Sequence, residues 1–374
     1  MKKGLILFIF LFSFNSLNAS CDFDSIALFK QSDINLLKAD IHKTLKAAGI
    51  THFNLIAGSS QHKLLDLSYG EGNADIKYDL ASITKVFTAI TLMKILKEKA
   101  IDESELVANI LPEFKTPKKD HITIEDLLRH RSGFKAGVGV NDWGQIASIQ
   151  SYWQNILNIN PTKKYHDFLY SDLNYLYIGK IIEKLSGRNL QENLITYITN
   201  PLELANTNYL PIDNNCAPTI NLDTRLCRVH DPTSFRLGEL TGHAGIFSNL
   251  NDMTKLALAL LNNGHYCGQE LIKKSLLKKM TTLKTYSDRG LGFDIQSPYA
   301  RRPRGEYMHK GKSFGHTGFT GTSMWIDPSS DFFVLILSNA VYAKNPAYSK
   351  KLYLDLLLRI STKLGKMRLE TLKH

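Results

Sequence analysis

The stretch that decides how this chain is organised is Asp79-Leu80-Ala81-Ser82-Ile83-Thr84-Lys85-Val86-Phe87-Thr88-Ala89-Ile90. Its apolar run continues through Met93 and Leu96, which predicts a buried helix. If Ser82 opens this helix, Lys85 lies one turn further along on the same face. A buried lysine can lose its proton and activate a neighbouring serine hydroxyl as a nucleophile. The stretch therefore predicts a serine–lysine pair held rigidly by a core helix.

The Ser-x-x-Lys spacing alone is weak evidence, because it also occurs at Ser60/Lys63, Ser132/Lys135 and Ser275/Lys278. Ser275 lies in a lysine-rich stretch that is typical of a solvated helix face, and Ser60 and Ser132 lie in polar or glycine-containing turns. Ser82 is the serine that precedes a long apolar run. On spacing alone, a helix N-terminus with an exposed lysine remains an alternative.

The composition is that of an ordinary globular protein. The 374 residues are 43% hydrophobic and 22% charged, enough for one large domain or two. The formal net charge is +11, with local basic clusters at Lys118-Lys119, Lys273-Lys274 and Arg301-Arg302-Pro303-Arg304. These clusters indicate a solvated basic surface or, alternatively, attraction to an anionic wall or membrane. No nucleic-acid-binding motif is present, so we do not expect a nucleic-acid partner.

The first twenty residues predict a secretory signal peptide. Lys2 and Lys3 precede an apolar run over 5–12, and Leu17-Asn18-Ala19 offers a small-residue cleavage site. We therefore expect a periplasmic or secreted protein. Cys21 raises an alternative, membrane association through a lipidated cysteine, although Asn18 stands where such signals usually carry leucine.

The four cysteines are Cys21, Cys216, Cys227 and Cys267. In an exported protein a disulfide between Cys216 and Cys227 is plausible, since it closes a short polar loop. The cysteines show no Cys-x-x-Cys spacing and no nearby histidine pair, so we predict no metal site and no cofactor.

The order of strand and helix patterns predicts an α+β fold. Strand-like runs occur near both ends of the chain, and helical patterns fill the middle. We expect one antiparallel sheet, flanked by terminal helices, with an inserted helical domain. The predicted sheet domain covers 21–75 and 265–374, the helical domain covers 76–264, and the site lies in the cleft between them. The predicted strands are 53–57, 64–68, 290–295, 313–316, 321–326 and 332–337.

Two further stretches carry candidate chemistry. Tyr170-Ser171-Asp172 precedes a predicted helix, where a tyrosine close to a lysine cation can shuttle protons. Gly315-His316-Thr317-Gly318-Phe319 leads into a predicted strand whose small residues let a substrate lie against its edge. The backbone N–H groups of Phe319 and Ser82 can together stabilise a developing oxyanion.

Taken together, the Ser82–Lys85, Tyr170–Asp172 and His316–Gly318 motifs resemble the serine β-lactamase and penicillin-binding protein family. The resemblance is to the branch with class C β-lactamases, D-alanyl-D-alanine carboxypeptidases and related esterases. It covers roughly residues 35–360, and it implies the β-lactamase/DD-peptidase-like α+β fold.

The resemblance also implies a role for each motif residue. Ser82 is the expected nucleophile, Lys85 its activating base and Tyr170 the proton shuttle to the leaving group. The N–H groups of Ser82 and Phe319 form the expected oxyanion hole. The expected substrate-binding residues are Asp172, His316, Thr317 and Gly318. The loops that contain His230, Asp231 and His243 are similar to scaffold loops of the family, so we expect structural roles there.

Two departures from the family pattern bear on substrate. Asp172 replaces the asparagine of many β-lactamases, and an anion beside Lys85 either keeps that lysine protonated or leaves Tyr170 as the main base. His316 replaces the usual lysine, which is similar to some D,D-carboxypeptidases. Both departures point away from an efficient β-lactamase.

The sequence thus predicts an exported acyl-serine hydrolase, a D-alanyl-D-alanine carboxypeptidase acting on peptidoglycan stem peptides. One alternative is a small-ester hydrolase or weak β-lactamase on the same scaffold. Another is a penicillin-binding sensor or wall-binding protein that is acylated without turnover. The expected partners are accordingly a peptidoglycan peptide or a small ester or lactam.

Overall fold

The computed structural model describes residues 23–26, 28–139, 148–220, 225, 227–343 and 346–373. Residues 1–20 and Cys21, on which the signal-peptide and lipid-anchor predictions rest, lie outside the described residues. Within the described part of the chain, no helix is both long and apolar enough to cross a membrane.

Most of the α-helices lie in the middle of the chain, as expected. A 3₁₀ turn over Ala81–Ile83 precedes the central helix α2. The α-helices are α1 (Gln31–Ala48), α2 (Thr84–Glu98), α3 (Ile124–Leu128), α4 (Ile149–Leu157), α5 (Asp172–Ser186), α6 (Leu190–Leu194), α7 (Asn200–Leu202), α8 (Pro232–Arg236), α9 (Leu250–Leu261), α10 (Lys274–Thr281), α11 (Arg301–Arg304) and α12 (Pro346–Thr371).

The main sheet is antiparallel and is assembled from both ends of the chain. Its five strands follow the order β2-β1-β10-β9-β8. This confirms the predicted α+β fold, whereas the exact domain boundaries stay a prediction. The strands are β1 (His52–Gly58), β2 (Lys63–Gly70), β3 (Tyr78–Asp79), β4 (Asn208–Tyr209), β5 (Ile246–Ser248), β6 (His265–Tyr266), β7 (Gln269–Glu270), β8 (Phe314–Thr317), β9 (Ser323–Asp327) and β10 (Phe332–Ser338).

Both faces of the main sheet are buried. Phe332 and Val334 of β10 pack in one core with helices α1 and α12, while Phe333 and Leu335 pack in a second core with helices α2, α5 and α9. Side chains alternate between faces along a strand, so a strand between two helical layers is apolar throughout. The sheet is therefore fixed from both sides, and its edge strand β8 is a rigid wall for the cleft.

The predicted strand over 290–295 is wrong. Gly290 N donates to Phe293 O at 2.9 Å, and Gly292 has a φ of +92°, so the chain makes a turn there. The segment touches the edge of the sheet through one isolated bridge, between Asp294 and Gly315. Its apolar residues imitate a strand because they pack into the core beside α2.

A second sheet, with the order β3-β5-β4, was not predicted because its strands have only two or three residues. It pairs Tyr78 with Ser248 directly before the Ser82 turn, and thereby fixes the start of that turn. The expected disulfide between Cys216 and Cys227 is confirmed, with the two Cα atoms 5.2 Å apart.

The turn at Gly292 gives a stability prediction. A Cβ atom added at Gly292 would lie 2.2 Å from the Cβ of Ala89 on α2, and the φ of Gly292 is +92°. Gly187, at the end of α5, also has a positive φ (+70°) but has open space around it. We expect Gly187→Ala to cost about 1 kcal/mol and Gly292→Ala at least about 2 kcal/mol more. Denaturant unfolding of both variants measures the difference, and equal losses would contradict the described packing.

Candidate active site

The Ser82 turn is held in a strained conformation by its neighbours. Ala81 has a φ of +46°, which is uncommon for a residue with a side chain. Asp79 accepts hydrogen bonds from the backbone N–H of Ala81 at 2.8 Å and of His230 at 2.7 Å. Burial raises the pKa of Asp79 to about 7. The strain thus persists because the buried carboxyl group ties the turn to a second loop.

Lys85 lies at the centre of the site and is fully buried. Its Nζ donates to Ser82 Oγ at 2.9 Å and to the backbone oxygen of His243 at 3.0 Å, and it lies 2.8 Å from Asp172 Oδ1. An ammonium group has three N–H donors, and Ser82, His243 and Asp172 each present an oxygen to it. The geometry therefore suits a protonated lysine whose charge lies directly beside the serine hydroxyl.

The surroundings of Lys85 keep its proton in place. Burial alone would lower the pKa of the amine, but Asp172 and then Tyr170 outweigh that effect, and the pKa lies above its ordinary value. Asp172 is the first residue of α5, which packs against α2, so two core helices fix the ion pair. The arrangement therefore favours the protonated form of Lys85, and its predicted role as the activating base stays a prediction.

Tyr170 is enclosed by rings and cations. The ring of His130 stacks on it at 4.4 Å, Lys85 Nζ lies 5.1 Å from the ring centre, and Arg289 Cζ lies 5.4 Å from it. His130 Nδ1 accepts the backbone N–H of Ser171 at 3.1 Å. Burial, then Arg289 and Lys85, place the pKa of His130 well below its ordinary value, so its ring is neutral and positions Tyr170 by stacking.

The turn between β8 and β9 is fastened to the Ser82 turn by two buried hydroxyl groups. Thr320 Oγ1 donates to the backbone oxygen of Asp79 at 2.7 Å, and Thr322 Oγ1 donates to that of Leu80 at 3.1 Å. Gly318 N donates to Thr322 O at 2.7 Å, which closes the turn and leaves Phe319 at its tip. These bonds fix Phe319 relative to Ser82, as a two-part oxyanion hole requires.

A cavity of about 680 Å³ opens over these residues. Its wall contains Ser82, Tyr170, His316, Thr317, Gly318 and Phe319. His316 is buried, its Nδ1 lies 2.8 Å from Thr317 O, and burial followed by the Arg289 and Lys85 charges places its pKa well below the ordinary value. These surroundings therefore favour the neutral form of His316.

The structure brings all the predicted site residues together, although their roles stay a prediction. Sequence reasoning did not find Arg289, a buried cation that pairs with Asp294 at 3.1 Å and lines the same cavity. Its Nε and Nη2 atoms have no hydrogen-bond partner in the described chain. The position of Arg289 directly before the predicted 290–295 strand could have drawn attention to it. The sequence does not show, however, that its side chain points into the protein.

The residues Asp231 and His243, expected to be scaffold, contact the Lys85 cluster. His243 Nε2 lies 2.9 Å from Asp231 Oδ1, and the backbone oxygen of His243 binds Lys85. Burial opposes ionisation of Asp231, but His243 outweighs it and the pKa of the carboxyl lies below its ordinary value. Ligand atoms of Asp172, Asp231 and His243 lie within 4.8 Å of one another. Such a spacing would suit a metal ion, but we assign these residues to the Lys85 cluster instead. Asp172 Oδ1 already pairs with Lys85, and Asp231 Oδ1 already pairs with His243.

Comparisons with known proteins show what the chain is similar to. The Beta-lactamase family model matches residues 59–358. A "Putative D-alanyl-D-alanine carboxypeptidase" of Salmonella gallinarum is 27% identical over 84% of this chain and 85% of its own length. A penicillin-binding protein homologue from Caulobacter crescentus superposes with a TM-score of 0.69 at 18% identity, over 90% of this chain and 97% of the other. The hydrolase EstCE1, described as having promiscuous acyltransferase activity, gives 0.68 at 16% identity, over 88% and 99%.

Asp172 gives a prediction about pH dependence. Asp172→Asn keeps the shape but removes the charge that raises the Lys85 pKa, so Lys85 loses its proton at lower pH. If activity needs the ammonium form, the alkaline limb of the kcat/KM profile moves about one unit toward lower pH. Asp167→Asn on the exposed surface is the control and leaves the profile unchanged. A wild-type profile for Asp172→Asn, or a shift in the acidic limb alone, contradicts the cationic lysine.

The two threonine clamps give a second prediction. Thr320→Val and Thr322→Val keep the shape, but each leaves a buried backbone oxygen without its donor. We expect each to lower kcat for ester hydrolysis about tenfold or more and to weaken binding of a boronic acid, which mimics the tetrahedral state. Thr254→Val is the matched control, since its hydroxyl donates to Leu250 O at 2.7 Å inside α9. Equal kcat for the clamp variants and the control would refute the positioning role.

Proposed function

The chain belongs to the Beta-lactamase family, and on that premise we propose that it is an exported serine hydrolase that works through an acyl-serine intermediate. Its proposed activity is that of a D-alanyl-D-alanine carboxypeptidase on peptidoglycan stem peptides. One observation carries the proposal: Lys85 Nζ donates to Ser82 Oγ at 2.9 Å, and Ser82 lines a cavity of about 680 Å³.

The proposed reaction begins with attack of Ser82 Oγ on the scissile carbonyl carbon. In the proposed step Tyr170 acts as a phenolate base and takes the serine proton; Lys85 Nζ and Arg289 Cζ lie 5.1 Å and 5.4 Å from the centre of its ring. The N–H groups of Ser82 and Phe319 bind the oxyanion. Collapse breaks the bond to the leaving group, which receives the proton from Tyr170. Water then attacks the acyl-serine ester by the same route in reverse and releases the acid.

Three observations support a stem peptide as substrate. Arg289 is buried in the cavity wall, and its Nε and Nη2 atoms have no hydrogen-bond partner among the described residues, so they are available as donors to a substrate oxygen. His316 stands where β-lactamases of the family usually have lysine, which points away from efficient β-lactam hydrolysis. The similar Salmonella protein carries the carboxypeptidase name. We also propose export, because the predicted signal peptide would bring the enzyme to the compartment of this substrate.

An ester hydrolase is the second candidate. The cavity extends to the apolar side chains of Tyr353 and Leu357, which suits an uncharged ester group. Assays of a pentapeptide that ends in D-Ala-D-Ala, a cephalosporin and a short-chain ester, on one preparation, separate the candidates. A stable acyl adduct without turnover of any of them would favour a sensor instead.

The nucleophile assignment predicts a specific loss of labelling. Ser82→Ala should abolish the mass adduct formed with a fluorescent penicillin. Ser60→Ala, Ser132→Ala and Ser275→Ala should label as wild type does.

The other serines have different partners or settings: Ser60 Oγ lies 3.1 Å from Asp331 Oδ2, Ser132 Oγ lies 2.5 Å from Asn174 Oδ1, and Ser275 lies in the first turn of α10. Because Ser132 is buried, its variant needs a melting-temperature check. An adduct that persists on folded Ser82→Ala protein would refute the assignment.

A further inference from the structure

The cavity continues well beyond the Ser82–Lys85 pair. It passes the end of β8 and reaches a second region, the far arm, between α11 and α12. The floor of the far arm is formed by Pro303, Tyr353, Leu354 and Leu357. Tyr353 and Leu357 belong to the core on this side of the sheet, and Pro303 is buried as well, so the arm is a preformed apolar surface. The whole cavity, with a volume of about 680 Å³, has room for a ligand that extends from Ser82 into the far arm.

Two cations stand at the rim of the far arm. Arg302 projects from α11 with 53% of its side chain exposed, and its Nε is 4.0 Å from Asp355, which is a weak pairing. Lys350 projects from α12, and its Nζ lies 5.1 Å from the ring of Phe319. Among the described residues of the cavity wall the carboxylate is Asp294, and Arg289 already pairs with it. The arm therefore complements an apolar group that ends in a negative charge.

The position of Tyr170 indicates which half of a substrate enters the far arm. The ring of Tyr299 lies 6.1 Å from that of Tyr170. Tyr299 and Pro298 line the cavity and lead directly into Arg302 and Pro303 of α11. Because Tyr170 is proposed to protonate the leaving group, the leaving group extends along this side.

We propose that the far arm binds a leaving group larger than alanine, with an apolar body on Tyr353 and Leu354 and a carboxylate at Arg302 and Lys350. The inference rests on the proposed acyl-serine function and adds a substrate class to it. A substrate of this class then releases a bulky alcohol or amine that carries a carboxylate. A short acyl group with a small leaving group leaves the arm empty.

The experiment uses two aryl esters of N-acetyl-D-alanine on the full chain, with 3-hydroxybenzoate or 3-hydroxybenzamide as leaving group. The leaving groups have similar shape and differ in charge. We expect wild type to prefer the benzoate ester about tenfold in kcat/KM, through KM. The double variant Arg302→Gln/Lys350→Gln should bring this ratio close to one. Arg301→Gln is the matched control, because Arg301 lies on the same helix, pairs with Glu306 at 3.3 Å and is not part of the cavity wall.

A blocking variant tests the apolar body independently. Leu354 is partly exposed, so Leu354→Trp can fill the arm without disturbing the core. It should raise KM for both aryl esters and leave the methyl ester of N-acetyl-D-alanine unaffected. The far-arm proposal is overturned if wild type cleaves the benzoate and benzamide esters with equal kcat/KM, or if the double variant keeps the wild-type ratio. It is also overturned if Leu354→Trp affects the aryl and methyl esters equally. Methyl-ester hydrolysis that depends on Ser82 would still stand in that event. If no ester is cleaved, the same ratios are read from protection of Ser82 against the penicillin probe.

Discussion

The buried charge of Lys85 is the constraint on which the rest of the site depends. A lone ammonium group in a protein interior costs several kcal/mol, and only a complete set of acceptors offsets that cost. Here the acceptors come from a helix end (Asp172), from a loop backbone (His243) and from the serine itself. Each of these elements must therefore be in place for the lysine to remain charged. The loop with Asp231 takes part in the same electrostatic balance, because Asp231 pairs with His243 and interacts with the charge of Lys85.

The second dependence is between the two parts of the fold. Ser82 belongs to the helical part, whereas Phe319 lies on a turn of the sheet. Thr320 and Thr322 join the two turns through hydroxyl groups that reach backbone oxygens, so the register between the parts does not rely on side-chain packing alone. Gly318 allows this close approach, since a Cβ atom there would lie 2.4 Å from Leu80 O. The packing of the two turns therefore requires glycine at position 318, whichever substrate the site binds.

Much of this arrangement can be predicted from the sequence. Period-two and helical patterns gave the sheet built from both ends and the central helices, because burial on regular elements leaves a periodic trace. The resemblance of the short motifs, taken together, to the family pattern selected Ser82, Lys85, Tyr170 and the β8 edge. The prediction of a strand over 290–295 was wrong, because apolar residues that pack into the core from a turn show the same sequence pattern as a buried strand. Arg289 was not found, and Asp231 and His243 were expected only as scaffold, because the inward orientation of a polar side chain depends on partners that are distant in sequence.

The pairing of β1 with β10 also orders events during synthesis. Phe53 of β1 pairs with Ser338 of β10, so β1 cannot form this pairing until nearly the whole chain has been synthesised. The strand that carries His316 and the turn that carries Phe319 emerge late as well. Contacts that span most of a sequence form slowly and cannot form on a partial chain. A nascent or truncated polypeptide thus carries the serine and lysine but no assembled site, and hydrolytic activity arises only once translation of the last strands is complete.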